Sequence, residues 1–145
     1  MIICLISIDQ IIKFTVIKNM YNSSIIILKG IINLTYVENT GGAFGIGENS
    51  TIIFIIENIS VLTLLTLFIF SKKNQISIYE LIGLGLILSG GIGNLFDRVF
   101  RGFVVDYIDF NPLIRYPVFN IADIYVVVGC MMIAINVVKE RKKLQ

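Results

Sequence analysis

This chain of 145 residues is 56% hydrophobic and 15% charged, with a formal net charge of +2 and no histidine. A soluble domain carries about 25% charged residues, so this composition argues against a water-soluble protein and indicates one compact unit, residues 1–145, in a lipid bilayer. The small net charge disfavours a nucleic-acid partner, and the lack of histidine excludes histidine-based protease triads, histidine zinc sites and imidazole bases.

Four apolar runs predict four transmembrane helices, because roughly 20 residues rising about 1.5 Å each cross a hydrocarbon core of about 30 Å. Asp9 and Lys13 interrupt the first run. A cleaved signal peptide is the alternative for that run, but Lys13 and the lack of a small-residue cleavage site favour a retained helix. The four runs cover residues 1–17, 51–70, 79–98 and 118–138.

The segments between these runs predict a small sheet. Segment 24–38 is rich in β-branched residues and predicts one or two short strands with a turn near Lys29 and Gly30. Backbone at a membrane surface must find hydrogen-bond partners, so we expect these strands to rest on the helices. Pro112 and Pro117 favour loops or short elements in segment 99–117. The predicted fold is an all-α membrane protein of four transmembrane helices with a small β-sheet element on the outer side.

Basic residues set the predicted orientation. Lys72 and Lys73 lie between the second and third runs, and the basic segment 139–143 follows the fourth. With four spans, both groups fall on the same side as the amino terminus, and the positive-inside rule makes that side cytoplasmic. We therefore predict cytoplasmic termini and external segments 18–50 and 99–117. Three arginines then lie on the outer side against the rule: Arg98, Arg101 and Arg115. Their position suggests that each has a specific partner.

Acidic residues concentrate where the third run ends and the fourth begins: Asp97, Asp106, Asp109 and Asp123. Carboxylates at a membrane edge are costly to desolvate, which marks this region as the candidate site. Asp123 lies about five residues into the fourth run, at a depth of roughly 8 Å. Two carboxylates that converge there repel unless one keeps a proton, which creates an acid and a base together. We predict Asp106 and Asp123 as this pair, with Asp109 and Glu57 as alternatives to Asp106.

Charged pairs elsewhere predict structural roles. Asp9 and Lys13 are four residues apart and share one helix face, so we predict an ion pair that faces the helix bundle. Asp97 and Arg98, at the outer end of the third run, are predicted to pair and to brace the loop that follows.

Small residues in the apolar runs favour packing over chemistry. Gly85, Ser89 and Gly93 recur at intervals of four, a pattern typical of close helix contact. Ser89 is rejected as a nucleophile because no histidine is available to activate it. Cys4 and Cys130 lie far apart in apolar runs and predict neither a disulfide nor a metal site.

Five motifs, each weak alone, occur in order along the chain. Together they are similar to those of the lipoprotein signal peptidase family, also called signal peptidase II. The motifs are Asp9-Gln10-x-x-Lys13, Asn39-Thr40-Gly41-Gly42-Ala43-Phe44, Gly91-Ile92-Gly93-Asn94-Leu95-Phe96-Asp97-Arg98, Val104-Val105-Asp106-Tyr107 and Phe119-Asn120-Ile121-Ala122-Asp123. Two departures are a first run with fewer residues before Asp9 than the family usually shows, and Gly42 in place of the commoner alanine.

The resemblance implies an aspartic endopeptidase of the bacterial cytoplasmic membrane whose active site lies near the outer face. Its substrate is then a diacylglyceryl-prolipoprotein, cut just before the lipidated cysteine, and its other implied partners are membrane lipid and globomycin-type cyclic peptides. We expect a monomer. The resemblance gives Asp106 and Asp123 the catalytic positions. Eight further residues are predicted to bind the substrate or to position the catalytic pair: Asp9, Lys13, Asn39, Gly41, Asn94, Asp97, Arg98 and Asn120.

In the predicted mechanism, one aspartate deprotonates a water held between the pair, while its protonated partner donates to the scissile carbonyl oxygen. This chemistry needs neither a metal nor another cofactor. A proton-coupled transporter with Asp9, Glu57 and Asp123 as a relay is one alternative, although the sequence shows none of the internal repeats common in transporters. A non-enzymatic assembly factor, in which the polar residues only hold helices together, is the other.

Overall fold

Helices and short strands follow one another along the chain in the computed structural model. The structure describes residues 1–21, 23–42, 47, 50–111 and 113–143, and it describes residues 140–143 by their backbone alone. The last two positions of the motif that begins at Asn39, residues 43 and 44, thus lie outside the described residues. The elements are, in chain order, α1 (Ile2–Met20), β1 (Ser24–Leu28), β2 (Ile32–Asn39), α2 (Thr51–Lys72), α3 (Ile78–Arg101), β3 (Val104–Asp109) and α4 (Ile121–Lys143).

Three helices of the described chain are long and apolar enough to cross a membrane: Thr51–Lys72, Ile78–Arg101 and Ile121–Lys139. They agree with the second, third and fourth predicted spans and fit a membrane protein. Helix α1 is not among them, because Asp9, Lys13 and Lys18 raise its charge content. A fourth transmembrane helix therefore stays a prediction.

Helix α3 is the centre of the bundle and contacts each of the other three helices. It begins with a capping box, in which the Ser77 hydroxyl accepts from the Glu80 amide and the Glu80 carboxylate accepts from the Ser77 amide. It ends at Gly102, whose φ of 83° is the left-handed conformation that favours glycine. A side chain at Gly90 would overlap the Ala122 carbonyl oxygen, so this glycine allows α3 and α4 to pack closely.

The three strands form one antiparallel sheet in the order β1-β2-β3. The turn between β1 and β2 contains Gly30 at a φ of 78°, which confirms the predicted hairpin. In β3, Val105 is fully buried and packs with α1 residues Val16 and Met20, so the sheet rests on the amino-terminal helix. The register pairs Asn39 at the end of β2 with Val104 at the start of β3.

Helix α4 begins at Ile121 and not at Val118, where the fourth apolar run starts. Phe119 makes an isolated antiparallel bridge to Ile108 of β3, and this bridge keeps the preceding chain out of the helix. Asp123 therefore lies in the first helical turn, while its depth of roughly 8 Å in the membrane stays a prediction.

The small-residue pattern of α3 is a packing feature, as predicted. A Cβ atom at Gly93 would lie 2.6 Å from an Asp9 carboxylate oxygen, and the Ser89 hydroxyl donates to the Gly85 carbonyl within the helix. Cys4 and Cys130 are both free and exposed.

Candidate active site

The start of α4 positions the first predicted catalytic residue. The Asn120 backbone N–H donates to Asp123 Oδ2 at 3.0 Å, and the Asp123 N–H donates to Asn120 Oδ1 at 3.1 Å. This reciprocal pair is a capping box, which satisfies two N–H groups at the helix start that have no partner within the helix. It holds the half-buried Asp123 carboxylate beside the Asn120 side chain.

The same asparagine holds the second predicted catalytic residue. Asn120 Nδ2 donates to Asp106 Oδ1 at 2.7 Å, and Asn39 Nδ2 donates to Asp106 Oδ2 at 2.9 Å. Asp106 lies on β3 and is 3% exposed, while Asn120 is fully buried. Because Asn120 contacts both carboxylates, the structure brings Asp106 and Asp123 to one site.

Asn94 of α3 completes the connection between the two carboxylates. Its Nδ2 donates to Asp123 Oδ1 at 2.8 Å, and its Oδ1 accepts from Asn120 Nδ2 at 3.1 Å. Three amide side chains, from β2, α3 and the start of α4, thus place hydrogen-bond donors on the predicted pair. An ionised carboxylate is the acceptor that such donors favour.

Asp106 is electrostatically unusual. Burial, followed by the nearby charge of Asp123, raises the pKa of Asp106 from 3.8 to about 7. The hydrogen bonds from Asn39 and Asn120 and the charge of Lys13 act in the opposite direction. Asp106 therefore exchanges its proton near neutral pH, where a group that acts as general acid or base is most effective.

A second, fully buried cluster supports the site from the side of α1. Lys13 Nζ lies 3.0 Å from Asp9 Oδ2, 2.9 Å from Asp97 Oδ2 and 2.9 Å from Asn94 Oδ1. The Asp9–Lys13 pair was predicted from their spacing, and its two side chains are 0% exposed. Because Asn94 Oδ1 accepts from Lys13, the Asn94 amide group is fixed with its Nδ2 toward Asp123.

The predicted pairing of Asp97 with Arg98 is wrong. Asp97 pairs with Lys13 and with Arg101 one helical turn later, whereas Arg98 donates from Nη2 to the Gly41 carbonyl at 3.0 Å. Asp97 does brace the following loop, since its Oδ2 accepts from the Val105 amide at 3.1 Å.

Neither alternative to Asp106 joins the amide network. Asp109 accepts from the Thr35 hydroxyl at 3.1 Å and from the Asn111 amide at 2.8 Å. Glu57 is exposed on α2. The geometry therefore favours Asp106 as the partner of Asp123.

Two grooves meet the surface near the site, one lined by Asn94 and the other by Asp123. The first, which we call the α2–α3 groove, has a volume of about 230 Å³ and is lined by Phe54, Glu57, Asn58, Val61, Leu62, Leu65, Ile87, Gly91, Asn94, Arg98 and Val126. The second, which we call the loop–α4 groove, has a volume of about 440 Å³ and is lined by Phe110, Leu113, Ile114, Tyr116, Phe119, Asp123, Ile124 and Val127.

Within the described residues, no group of three or more histidine, cysteine, aspartate or glutamate side chains could hold a metal ion. The chemistry available here is proton transfer between two carboxylates in an amide-rich pocket. That catalysis needs no metal stays a prediction.

Sequence reasoning missed two supporting residues and one local motif. Gln10 Nε2 donates to Asp9 and to Asp97, and its Oε1 accepts from Arg101 at 2.9 Å. The four-residue spacing of Asp97 and Arg101 was a signal for their pairing. The other missed signal was Asn120 three residues before Asp123, since a cap residue followed by an acid at that spacing is typical of a helix start.

Comparison with known proteins identifies the family. The family model described as signal peptidase (SPase) II matches residues 1–139. A lipoprotein signal peptidase of Clostridioides difficile (strain 630) is 46% identical over 139 residues, covering 94% of this chain and 90% of that protein. A lipoprotein signal peptidase of Caldicellulosiruptor bescii is 40% identical over 132 residues, covering 91% and 84%.

A solved structure agrees with this assignment. It is described as "Bacterial membrane enzyme structure by the in meso method at 2.3 A resolution" and is similar to this chain with a TM-score of 0.89 and 30% identity, covering 99% of this chain and 88% of that one. The chain therefore belongs to the signal peptidase II family, an aspartic peptidase family whose members remove signal peptides from prolipoproteins.

Proposed function

We propose that this protein is an intramembrane aspartic endopeptidase that hydrolyses diacylglyceryl-prolipoproteins just before the lipidated cysteine, with Asp106 and Asp123 as its catalytic pair. The observation that carries the proposal is the position of Asn120, which hydrogen-bonds both carboxylates. In the proposed mechanism, this shared contact lets two aspartates on separate elements, a strand and a helix, act on one water molecule.

The unequal surroundings of the two aspartates assign their roles. Asp106 is almost fully buried and has its pKa raised to about 7, so it holds the proton that the pair shares. Asp123 is half-buried at the edge of the loop–α4 groove, where it can meet the attacking water, so we assign it the role of the base.

Hydrolysis then proceeds by general acid–base catalysis. Asp123 takes a proton from the water as its oxygen bonds to the scissile carbonyl carbon, and Asp106 protonates the carbonyl oxygen. The tetrahedral intermediate returns one hydroxyl proton to Asp106. As the carbon–nitrogen bond breaks, Asp123 gives its proton to the leaving amine of the lipidated cysteine.

The placement of charge along the helices supports four spans with the active site near the outer face of the bacterial cytoplasmic membrane. Asp97 lies near the end of α3 and Asp123 at the start of α4, so the site is at one end of the bundle. Lys72 and Lys139 lie toward the opposite end, which the positive-inside rule makes cytoplasmic along with both termini. A shallow site admits the water that hydrolysis consumes.

The proposed relay of the alternative transporter finds no support in the geometry. Asp9 is bonded to Lys13 and Gln10, and Glu57 is exposed on a different helix. We keep the monomer, the contact with membrane lipid and the binding of globomycin-type cyclic peptides as parts of the proposal. Competition of such a peptide with the lipidated substrate tests the last of these.

The catalytic assignment is tested with three single variants of the purified protein and a synthetic diacylglyceryl-lipobox peptide. Asp106→Asn and Asp123→Asn should each bind the peptide yet lose cleavage by at least about 10³-fold, within the range of general acid–base catalysis. Asp109→Asn is the matched control, because Asp109 is also a buried aspartate of β3 but does not contact Asn120. Full cleavage by either of the first two variants overturns the proposed mechanism.

A further inference from the structure

Asp123 lines the loop–α4 groove, and Asn94, which donates to its carboxylate, lines the α2–α3 groove. Successive residues of an α-helix are about 100° apart, so Val126 lies about 60° to one side of Asp123 and Val127 about 40° to the other. Val126 lines the α2–α3 groove, and Val127 lines the loop–α4 groove. A bond held at Asp123 therefore has one groove on each side.

The two grooves offer different chemistry. The α2–α3 groove contains four polar side chains, Glu57, Asn58, Asn94 and Arg98. Arg98 Nε is buried and has no acceptor among the described residues, so a donor remains available there. Apart from Asp123, every residue that lines the loop–α4 groove is apolar or aromatic.

One wall of the loop–α4 groove consists of aromatic rings in contact with one another. The rings of Phe110 and Phe119 stack with centroids 5.8 Å apart, and Tyr116 meets Phe119 edge-on at 5.7 Å. Such ring pairs bury large apolar areas in defined orientations. The wall and the exposed apolar side chains of Ile124 and Val127 line the same groove, so its surface is almost entirely apolar.

The peptide and the acyl chains of the proposed substrate differ in polarity in the same way. A peptide backbone in a membrane needs hydrogen-bond partners for its N–H and C=O groups, whereas acyl chains need only apolar contact. We infer that the loop–α4 groove binds an acyl chain of the diacylglyceryl group, while the signal peptide side of the scissile bond lies in the α2–α3 groove. This inference rests on the proposed function and adds to it the division of the substrate between the grooves.

The division is tested by photocrosslinking in the Asp106→Asn variant, with a diacylglyceryl-lipobox peptide that carries a diazirine at the end of one acyl chain. Peptide mapping by mass spectrometry should find the label on Leu113, Ile114 or Val127. Label on Val61 or Leu65 of the α2–α3 groove overturns the inference. Label spread over lipid-facing positions outside both grooves overturns it as well.

A kinetic test uses the length of the acyl chains. Val127→Phe narrows the loop–α4 groove, so kcat/KM for a dipalmitoyl substrate should fall by about tenfold or more, while kcat/KM for a dibutyryl substrate changes by less than about twofold. Leu64→Phe adds the same ring at an exposed position of α2 outside both grooves and should affect neither substrate. Equal losses for both chain lengths contradict the inference, whereas failure of the unchanged protein to cleave either substrate contradicts the proposed function instead.

Discussion

Replacing Lys13 by methionine removes the ammonium group that joins α1 to α3 without changing the length of the side chain greatly. The three N–H groups of Lys13 reach Asp9, Asp97 and Asn94 at 2.9 to 3.0 Å, and the side chain is 0% exposed. The substitution leaves Asp9 with Gln10 as a remaining donor, while Asp97 keeps its pairing with Arg101.

Loss of one partner from a buried ion pair destabilises a protein by about 3–5 kcal/mol, because the remaining charge is buried without compensation. We expect this loss for Lys13→Met, equivalent to a factor of roughly 10²–10⁴ in the folding equilibrium. Activity should fall further than the folded fraction, because Asn94 also loses the donor that fixes its amide toward Asp123.

The measurement is the free energy of unfolding in mixed micelles titrated with sodium dodecyl sulfate. Lys139→Met is the matched control, because Lys139 is exposed near the end of α4, and it should change the free energy by less than about 1 kcal/mol. The double variant Lys13→Met/Asp9→Asn should recover part of the loss, since it removes the uncompensated carboxylate. Equal stability of Lys13→Met and Lys139→Met refutes this account of the cluster.

Two further predictions concern the proton on Asp106 and the packing of α3. Cleavage should decline as the pH rises through about 7, because Asp106 then loses its proton. Asn39→Ala removes a hydrogen bond that lowers the pKa of Asp106, so the decline in cleavage should move to higher pH. The control Thr35→Val removes a hydrogen bond to Asp109 and should leave the pH of the decline unchanged. A shift of the decline to lower pH in Asn39→Ala contradicts the assignment. Gly90→Ala places a Cβ atom against the Ala122 carbonyl oxygen, so it should destabilise the protein by about 1–3 kcal/mol in the same unfolding assay. An unchanged free energy of unfolding contradicts the close contact between α3 and α4.

Local spacing predicted some of the contacts between residues that are close in the sequence. The Asp9–Lys13 pair follows from helical periodicity, and the hairpin follows from β-branched residues around Gly30. The Asp97–Arg101 pair and the Asn120 cap were equally local and were missed, although the same spacing rules describe them.

The spacing of residues in the sequence could not predict contacts between different helices and strands. That Lys13 bonds Asn94, and Asn94 bonds Asp123, depends on how three helices pack against one another. The family resemblance placed these residues near one site but gave no partner for any of them. The start of α4 also depended on tertiary structure, because the strand bridge at Phe119 decides where the helix begins.

The dependence of both aspartates on Asn120 has a consequence for biosynthesis. The ribosome releases the chain from its amino terminus, so Asp106 and its strand β3 leave the ribosome before the start of α4 does. Until α4 enters the membrane, Asp106 lacks the amide of Asn120, and Asp123, its partner in the proposed mechanism, is not yet in place. In the proposed mechanism, a partly inserted chain is therefore inactive, and cleavage requires the insertion of the last helix.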